Sequence, residues 1–516
     1  MPALNAAAAA RDEAPRSAGA RAWWPLAALT LLAAALRLAT LDLQSLWYDE
    51  AYTPVHVLHP SLSATWTSFV HSENSPPLWY LLEWPITRAL GTGAVALRLL
   101  SALAGIGTVP VAWAIGAELA GRRAAIVTAA FVATSPLLVW YSQEARAYGL
   151  FVLCASLALL CFVRALCEPT PRRTLPFALA ATLALLTHYF AVFLLIPMVG
   201  ALCWRGLANM EQSQRGRRVG TIPQKIPALA PLLLPVLAGA ALIPLIVAQG
   251  GHGTQWIGEW ALAARLEAIP QYYLTGYTGS ALGHGVELLV ALAILAGVLY
   301  GLWRTLTPQE ERGALIALVV AASGVLLPLL LALLGADYLA PRNLVAAMVP
   351  VSALLAIAIA ARRTGTVGMA IAGVVAAGFL ALSIDVNLSP RLQRGDWRGV
   401  AKVLRAAPTP GSRRAIVTVE LGAAPLEYYL PPLRNLAQGA TVRVSEVVKT
   451  GFAPLRTSAG APPARGMWLT QMRNVHGLYV YRFTSPVPVT ISESKLRESA
   501  ITDAPHPEVL VAGPSR

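Results

Sequence analysis

The stretch SLWYDEAYT, residues 45–53, sets two adjacent carboxylates, Asp49 and Glu50, among Trp47, Tyr48 and Tyr52, a few residues past a long apolar run. A carboxylate placed beside a membrane core is costly, and such residues tend to be functional. A second stretch, WYSQEARAY at 140–148, repeats the pattern: an apolar run ends in aromatics and is followed by Gln143, Glu144 and Arg146. A third, FVHSENSPPLWYLL at 69–82, brings His71, Glu73 and Asn74. His71 is either a phosphate, sugar or metal contact or an ordinary solvated loop histidine. His188, followed by Tyr189, lies inside an apolar segment, where a polar side chain needs a partner. That partner is a substrate phosphate or another helix.

Arginines complete the set. Arg37 falls near the end of the first apolar run, and Arg342 sits in DYLAPRNL at the start of a late one. Either snorkels to headgroups or grips a phosphate by two parallel hydrogen bonds. His252 and Arg265, in the 249–284 loop, are weaker candidates. Acids, arginines and aromatics in one cavity open to lipid would suit a lipid-linked phosphate donor. A carboxylate would take the proton of an acceptor hydroxyl as it attacks an anomeric carbon, and arginine would stabilise the departing phosphate.

The elements that must position these residues are membrane spans. Of 516 residues, 56% are hydrophobic and 13% charged, with mean hydropathy +0.57; soluble domains average about 25% charged. Several runs reach the roughly 18 apolar residues a spanning helix needs. The net charge of +14 comes in short clusters between runs, such as Arg122–Arg123, Arg172–Arg173 and Arg362–Arg363. Such clusters mark cytoplasmic loops rather than a nucleic-acid face. The four cysteines lie in or beside apolar segments without metal or disulfide spacing and are expected as buried apolar side chains.

Threading by the charge rule gives a cytoplasmic N-terminal tail (1–22) and an uncleaved first span near 23–41. The segment 76–91 holds Glu83, Pro85 and Arg88 and is short, so it reads as an interfacial helix inside the first outer loop, 42–96. Further spans fall near 97–119, 124–141, 147–166, 227–248, 285–304, 313–335, 343–361 and 367–384. The stretch 175–204 has basic loops at both ends and therefore folds as two short helices turning near THYF. The expected fold is an α-helical polytopic membrane protein of about eleven transmembrane helices, 23–384. A small C-terminal α/β domain, 385–516, follows on the extracytoplasmic side. DWRGVAKVLRAA (396–407) reads as a helix, RAIVTVE (414–420) and GLYVYRF (477–483) as strands. The candidate acids then share one membrane face.

SLWYDEAYT, PPLWYLL, ALRLLSALAGIGTVPVAWAIGAELAGRRAA and SPLLVWYSQEARAY, in this order, resemble the GT-C class of membrane glycosyltransferases. The branch they resemble is that of protein O-mannosyltransferases and aminoarabinose transferases. The resemblance is dense over about residues 22–205 and thinner to 345. It implies inverting transfer of a sugar, mannose or another hexose or pentose, from a polyprenyl-phosphate carrier. The acceptor would be a protein, lipid or polysaccharide hydroxyl on the outer face of a bacterial plasma membrane. By this resemblance Asp49 and Glu50 are catalytic, Asp49 as base with Glu50 positioning. The resemblance likewise makes Gln143, Glu144, His188, Tyr189 and Arg342 substrate-binding, and Arg37, His71 and Arg146 join them as expected substrate contacts on the residues alone. A divalent cation is an open possibility, since some members bind one and no DxD motif is present. Two other classes remain open on the residues alone: a transporter or flippase of a lipid-linked glycan, and a non-catalytic assembly or sensor protein.

Overall fold

The computed structural model describes residues 23–215, 229–251, 254–276, 284–405, 413–503 and 506–512. The N-terminal tail, most of the basic linker after Arg215, and His252 lie outside them. Among the described residues, seven helices are long and apolar enough to cross a membrane. The bent pair Arg122–Thr134 and Pro136–Ser142, which meet at 55°, makes an eighth if the two helices are one broken span. Trp24–Leu38, Pro171–Thr187 and Ala191–Arg215 supply the other segments read as spans. The chain is a multi-pass membrane protein.

Local sequence explains several boundaries. His188 ends the helix Pro171–Thr187 with an extended backbone, and a new helix starts at Ala191, so the long apolar stretch is split at THYF as expected. Leu78–Leu90 is a 13-residue helix. At 1.5 Å per residue it is about 20 Å long, too short for a bilayer core of about 30 Å. The break between Arg122–Thr134 and Pro136–Ser142 falls at Pro136, which has no N–H to return to the carbonyl of Val132. Gly301 lets the helix His284–Arg304 touch Met348–Ile359, since a Cβ there would stand 1.8 Å from the Ala358 carbonyl oxygen. The cysteines are all free, but only Cys154 is buried; Cys167 is exposed, because it closes its helix.

The C-terminal region carries one mixed six-stranded sheet: β1 Arg414–Thr418, β2 Leu433–Asn435, β3 Thr441–Phe452, β4 Trp468–Val475, β5 Leu478–Ser492 and β6 Glu508–Ala512. The strand order is β2-β6-β1-β3-β5-β4, with β1 and β3 parallel and the other pairs antiparallel. The helix Trp397–Arg405 buries Trp397, Val400 and Leu404 on one side of this sheet.

The two ends of the helical bundle differ in charge. At one end, Arg123 donates to the carbonyls of Arg362 and Gly365, and Arg304 to that of Arg363. The other end gathers the loops that hold the acids, together with the C-terminal region. Ser45 Oγ donates to the Gly395 carbonyl at 2.8 Å, the Leu46 amide to Tyr429 at 2.8 Å, and Tyr428 to the Thr92 carbonyl at 2.7 Å.

Candidate active site

The short helix Tyr48–Tyr52 carries the paired acids. Neighbouring helical side chains point about 100° apart, so the two cannot share one environment. Asp49 turns outward and keeps 20% of its side chain exposed; its Oδ2 accepts from Arg342 Nη1 at 2.8 Å. Glu50 turns inward and has no exposed surface. Its oxygens accept from Arg98 Nε at 2.7 Å and Nη2 at 2.6 Å, and from the Ala145 amide at 2.9 Å. Arg98 spends its remaining N–H groups on the carbonyls of Leu41, Gln44 and Ser45. Burial opposes the Glu50 charge, but Arg98 and Arg394 with the Ala145 amide outweigh it and hold the carboxyl below its ordinary range. Glu50, expected as catalytic, is thus enclosed by protein, and it pins the loop of residues 41–50 to the 143–146 turn.

That turn distributes its residues among several partners. Gln143 Nε2 donates to the carbonyls of Leu36 and Arg37 and to Thr40, fixing the turn to the end of the first span. Its Nε2 therefore faces protein. Glu144 is buried, and Arg394 Nη2 donates to its Oε2 at 2.9 Å. Desolvation, partly offset by Arg394, pushes its carboxyl up to about 7. Arg146 projects into a cavity of about 390 Å³ and forms a two-pronged pair with Glu73, both contacts at 3.0 Å.

The cavity is also lined by Tyr148, His188, Tyr189, Trp256 and Arg342. Arg342 lies 4.8 Å from the centroid of the Trp256 ring. His188 stacks on Phe151 at 4.7 Å and 13°, and its Nδ1 accepts the Phe190 amide at 3.2 Å, which leaves the neutral ring's proton on Nε2. Tyr189 donates to Gln249 Oε1 at 2.8 Å, and Gln249 Nε2 to the Ser75 carbonyl at 3.2 Å. Arg265 is bound to Asp337 by two contacts, at 2.7 and 2.6 Å, and so ties the 254–276 segment to the loop before Arg342. The lining also includes apolar side chains, Leu185, Phe193, Leu242 and Leu331. Asp49 is not a wall residue; it meets the cavity through Arg342.

Two expected substrate contacts are placed elsewhere. His71 is exposed at the end of its helix with Nδ1 against the Thr67 carbonyl at 2.8 Å, because its helix turns that face outward. Its near neighbours Asn74 and Ser75 line the cavity, and Glu73 meets it through Arg146. Arg37 is fully buried between helices. Its guanidinium donates to the carbonyls of Ala133 at 3.0 Å and Val132 at 3.2 Å, supplying the hydrogen bond that Pro136 cannot. Gly105 makes room for it: a Cβ there would come within 2.9 Å of Arg37 Nε.

The sequence reading passed over Arg98 and Arg394. Arg98 could have been flagged as a charge inside an apolar run; nothing local marks Arg394. No three His, Cys, Asp or Glu side chains converge as metal ligands among the described residues. Around the cavity Asp49, Glu73 and Glu144 are each already bonded to an arginine. Among the described residues the donor set around the cavity therefore does not fit a divalent cation.

Residues 74–215 match the family of dolichyl-phosphate-mannose-protein mannosyltransferases. The structure is similar to ArnT from Cupriavidus metallidurans bound to undecaprenyl phosphate, with a TM-score of 0.53 at 14% identity over 90% of this chain and 98% of that one. To the same protein in the apo state the TM-score is 0.51, at 12% identity over 92% and 99%. The chain has the GT-C fold. The resemblance read from the sequence is borne out, and the family match together with this fold supports a glycosyltransferase. No curated protein sequence matches the chain.

Proposed function

We propose that the protein transfers a sugar, with inversion, from a polyprenyl-phosphate carrier to a hydroxyl acceptor. The observation that carries this reading is the pairing of Asp49 with Arg342 at 2.8 Å beside a cavity lined both by Arg146 and Arg342 and by Leu185, Phe193, Leu242 and Leu331. The carrier's phosphate would sit between Arg342 and Arg146, with its isoprenoid against Leu185, Phe193, Leu242 and Leu331. The phosphate competes with Asp49 for Arg342, so donor binding frees the carboxylate. Asp49 then takes the acceptor's proton as its oxygen attacks the anomeric carbon. The bond from that carbon to phosphate oxygen breaks, and polyprenyl phosphate leaves with its charge held by the two arginines. One displacement at one carbon inverts it. His188 and Tyr189 would contact the sugar or phosphate. The ArnT structure with bound undecaprenyl phosphate, of the same fold, supports this class of donor.

The basic end of the bundle would face the cytoplasm by the positive-inside rule, placing Asp49 and residues 385–516 outside, in a bacterial plasma membrane. The acceptor is a protein, lipid or polysaccharide hydroxyl, and the sugar mannose or a related hexose or pentose. A flippase is not favoured, because the acids gather at one end of the bundle instead of near mid-bilayer. Asp49→Asn should abolish transfer from labelled polyprenyl-phosphate sugar in membranes while leaving expression unchanged. Near-normal turnover would remove Asp49 as the base.

A further inference from the structure

Arg394 belongs to the segment that leads out of the last apolar helix, Gly365–Leu388, toward the sheet. Its side chain nevertheless runs back into the bundle, where only 3% of it is exposed. The guanidinium donates to Glu144 Oε2 at 2.9 Å and lies 4.2 Å from the centroid of Trp140 and 5.8 Å from that of Trp47. Its backbone amide donates to Gln44 Oε1 at 3.2 Å. Glu144 Oε1 has no hydrogen-bond partner among the described residues. Among the described residues Arg394 is thus the one cation bonded to Glu144, and a buried charge left alone is strongly destabilising. The next cation Glu144 feels is Arg342.

We propose that Arg394 is a positioning residue for the transfer reaction. It neutralises Glu144 beneath the cavity, holding the 143–146 turn so that Arg146 and Arg342 stay with the donor phosphate instead of turning to Glu144. The C-terminal region is then part of the catalytic unit, since it supplies the counter-charge. This rests on the donor reading given above.

The test uses the full-length protein in detergent with two readouts: thermal stabilisation by undecaprenyl phosphate, and sugar transfer. For Arg394→Met the expected result is a carrier affinity and kcat/KM each lower by about tenfold or more, mostly through the donor KM. Arg394→Lys, which keeps the charge, should recover part of both. The double variant Glu144→Gln/Arg394→Gln, which removes the buried charge together with its partner, should return both to within about threefold of wild type. If Arg394→Met does not fold, the double variant and Arg394→Lys decide the matter alone. A double variant that folds but remains as weak as Arg394→Met, or an Arg394→Met protein with wild-type binding and turnover, overturns the proposal. Wild-type protein that binds the carrier but transfers no sugar would instead count against the transfer reading, and the binding series would still decide the role of Arg394.

Discussion

Glu50→Gln separates structural from chemical work in the acid pair. The carboxylate accepts three hydrogen bonds, two from Arg98 and one from the Ala145 amide, with no exposed surface. Glutamine keeps the shape but offers one oxygen, and its NH2 group must face an arginine donor. Breaking a buried ion pair from one side costs about 3–5 kcal/mol. Asp49 is 20% exposed and makes one contact to Arg342, so Asp49→Asn should cost about 1 kcal/mol or less. The losses in turnover should run the other way. Removing a general base costs about 100- to 10,000-fold, whereas the folded fraction of Glu50→Gln should keep kcat within about tenfold of wild type, a barrier change of about 1.4 kcal/mol. The assay is detergent unfolding by temperature, read beside transfer per mole of folded protein, for both variants. A Glu50→Gln protein as stable as wild type but as inactive as Asp49→Asn would refute the argument, because it would mean that Glu50 takes part in the chemistry.

Arg342→Ala should raise the donor KM by about tenfold or more while leaving acceptor KM near wild type, since the guanidinium is assigned to phosphate; unchanged donor dependence in initial-rate kinetics would exclude that assignment. Glu83, on the helix Leu78–Leu90, is fully buried with neither oxygen partnered among the described residues, and burial pushes its carboxyl up to about 8. Its protonated form is favoured in the fold, so stability is fully present below the unfolded value near 4.5 and falls as pH rises toward 8, by about 1.4 kcal/mol per unit. Glu83→Gln should therefore match wild type at pH 5 and melt higher at pH 7.5; parallel melting curves at both pH values would contradict this. Gly301→Ala should lower the melting temperature, because its Cβ would collide with the Ala358 carbonyl; a melting temperature equal to wild type would show that the two helices can separate at little cost.

Much of the bundle was legible from sequence because membrane insertion is a local, additive property. Hydropathy located the apolar helices, the basic clusters gave their alternation, and charge at both ends of 175–204 forced the turn at His188. In the C-terminal region, β-branched and aromatic content placed β1 and β5, since strands depend on short-range pattern. The meeting of the two acidic stretches was also foreseen from their common face. The structure joins them through the Ala145 amide and Glu50, a contact no spacing could show.

What tertiary structure alone decided is the partner of each charge. Asp49 meets Arg342 across 293 positions and Glu144 meets Arg394 across 250. Arg37 closes a proline break about 95 residues away. A charge in an apolar protein is defined by whichever opposite charge or carbonyl packing delivers to it, and packing is a property of the whole bundle. Sequence named the acids and arginines; the roughly 100° turn between adjacent helical residues then sent Asp49 to Arg342 and Glu50 into the core.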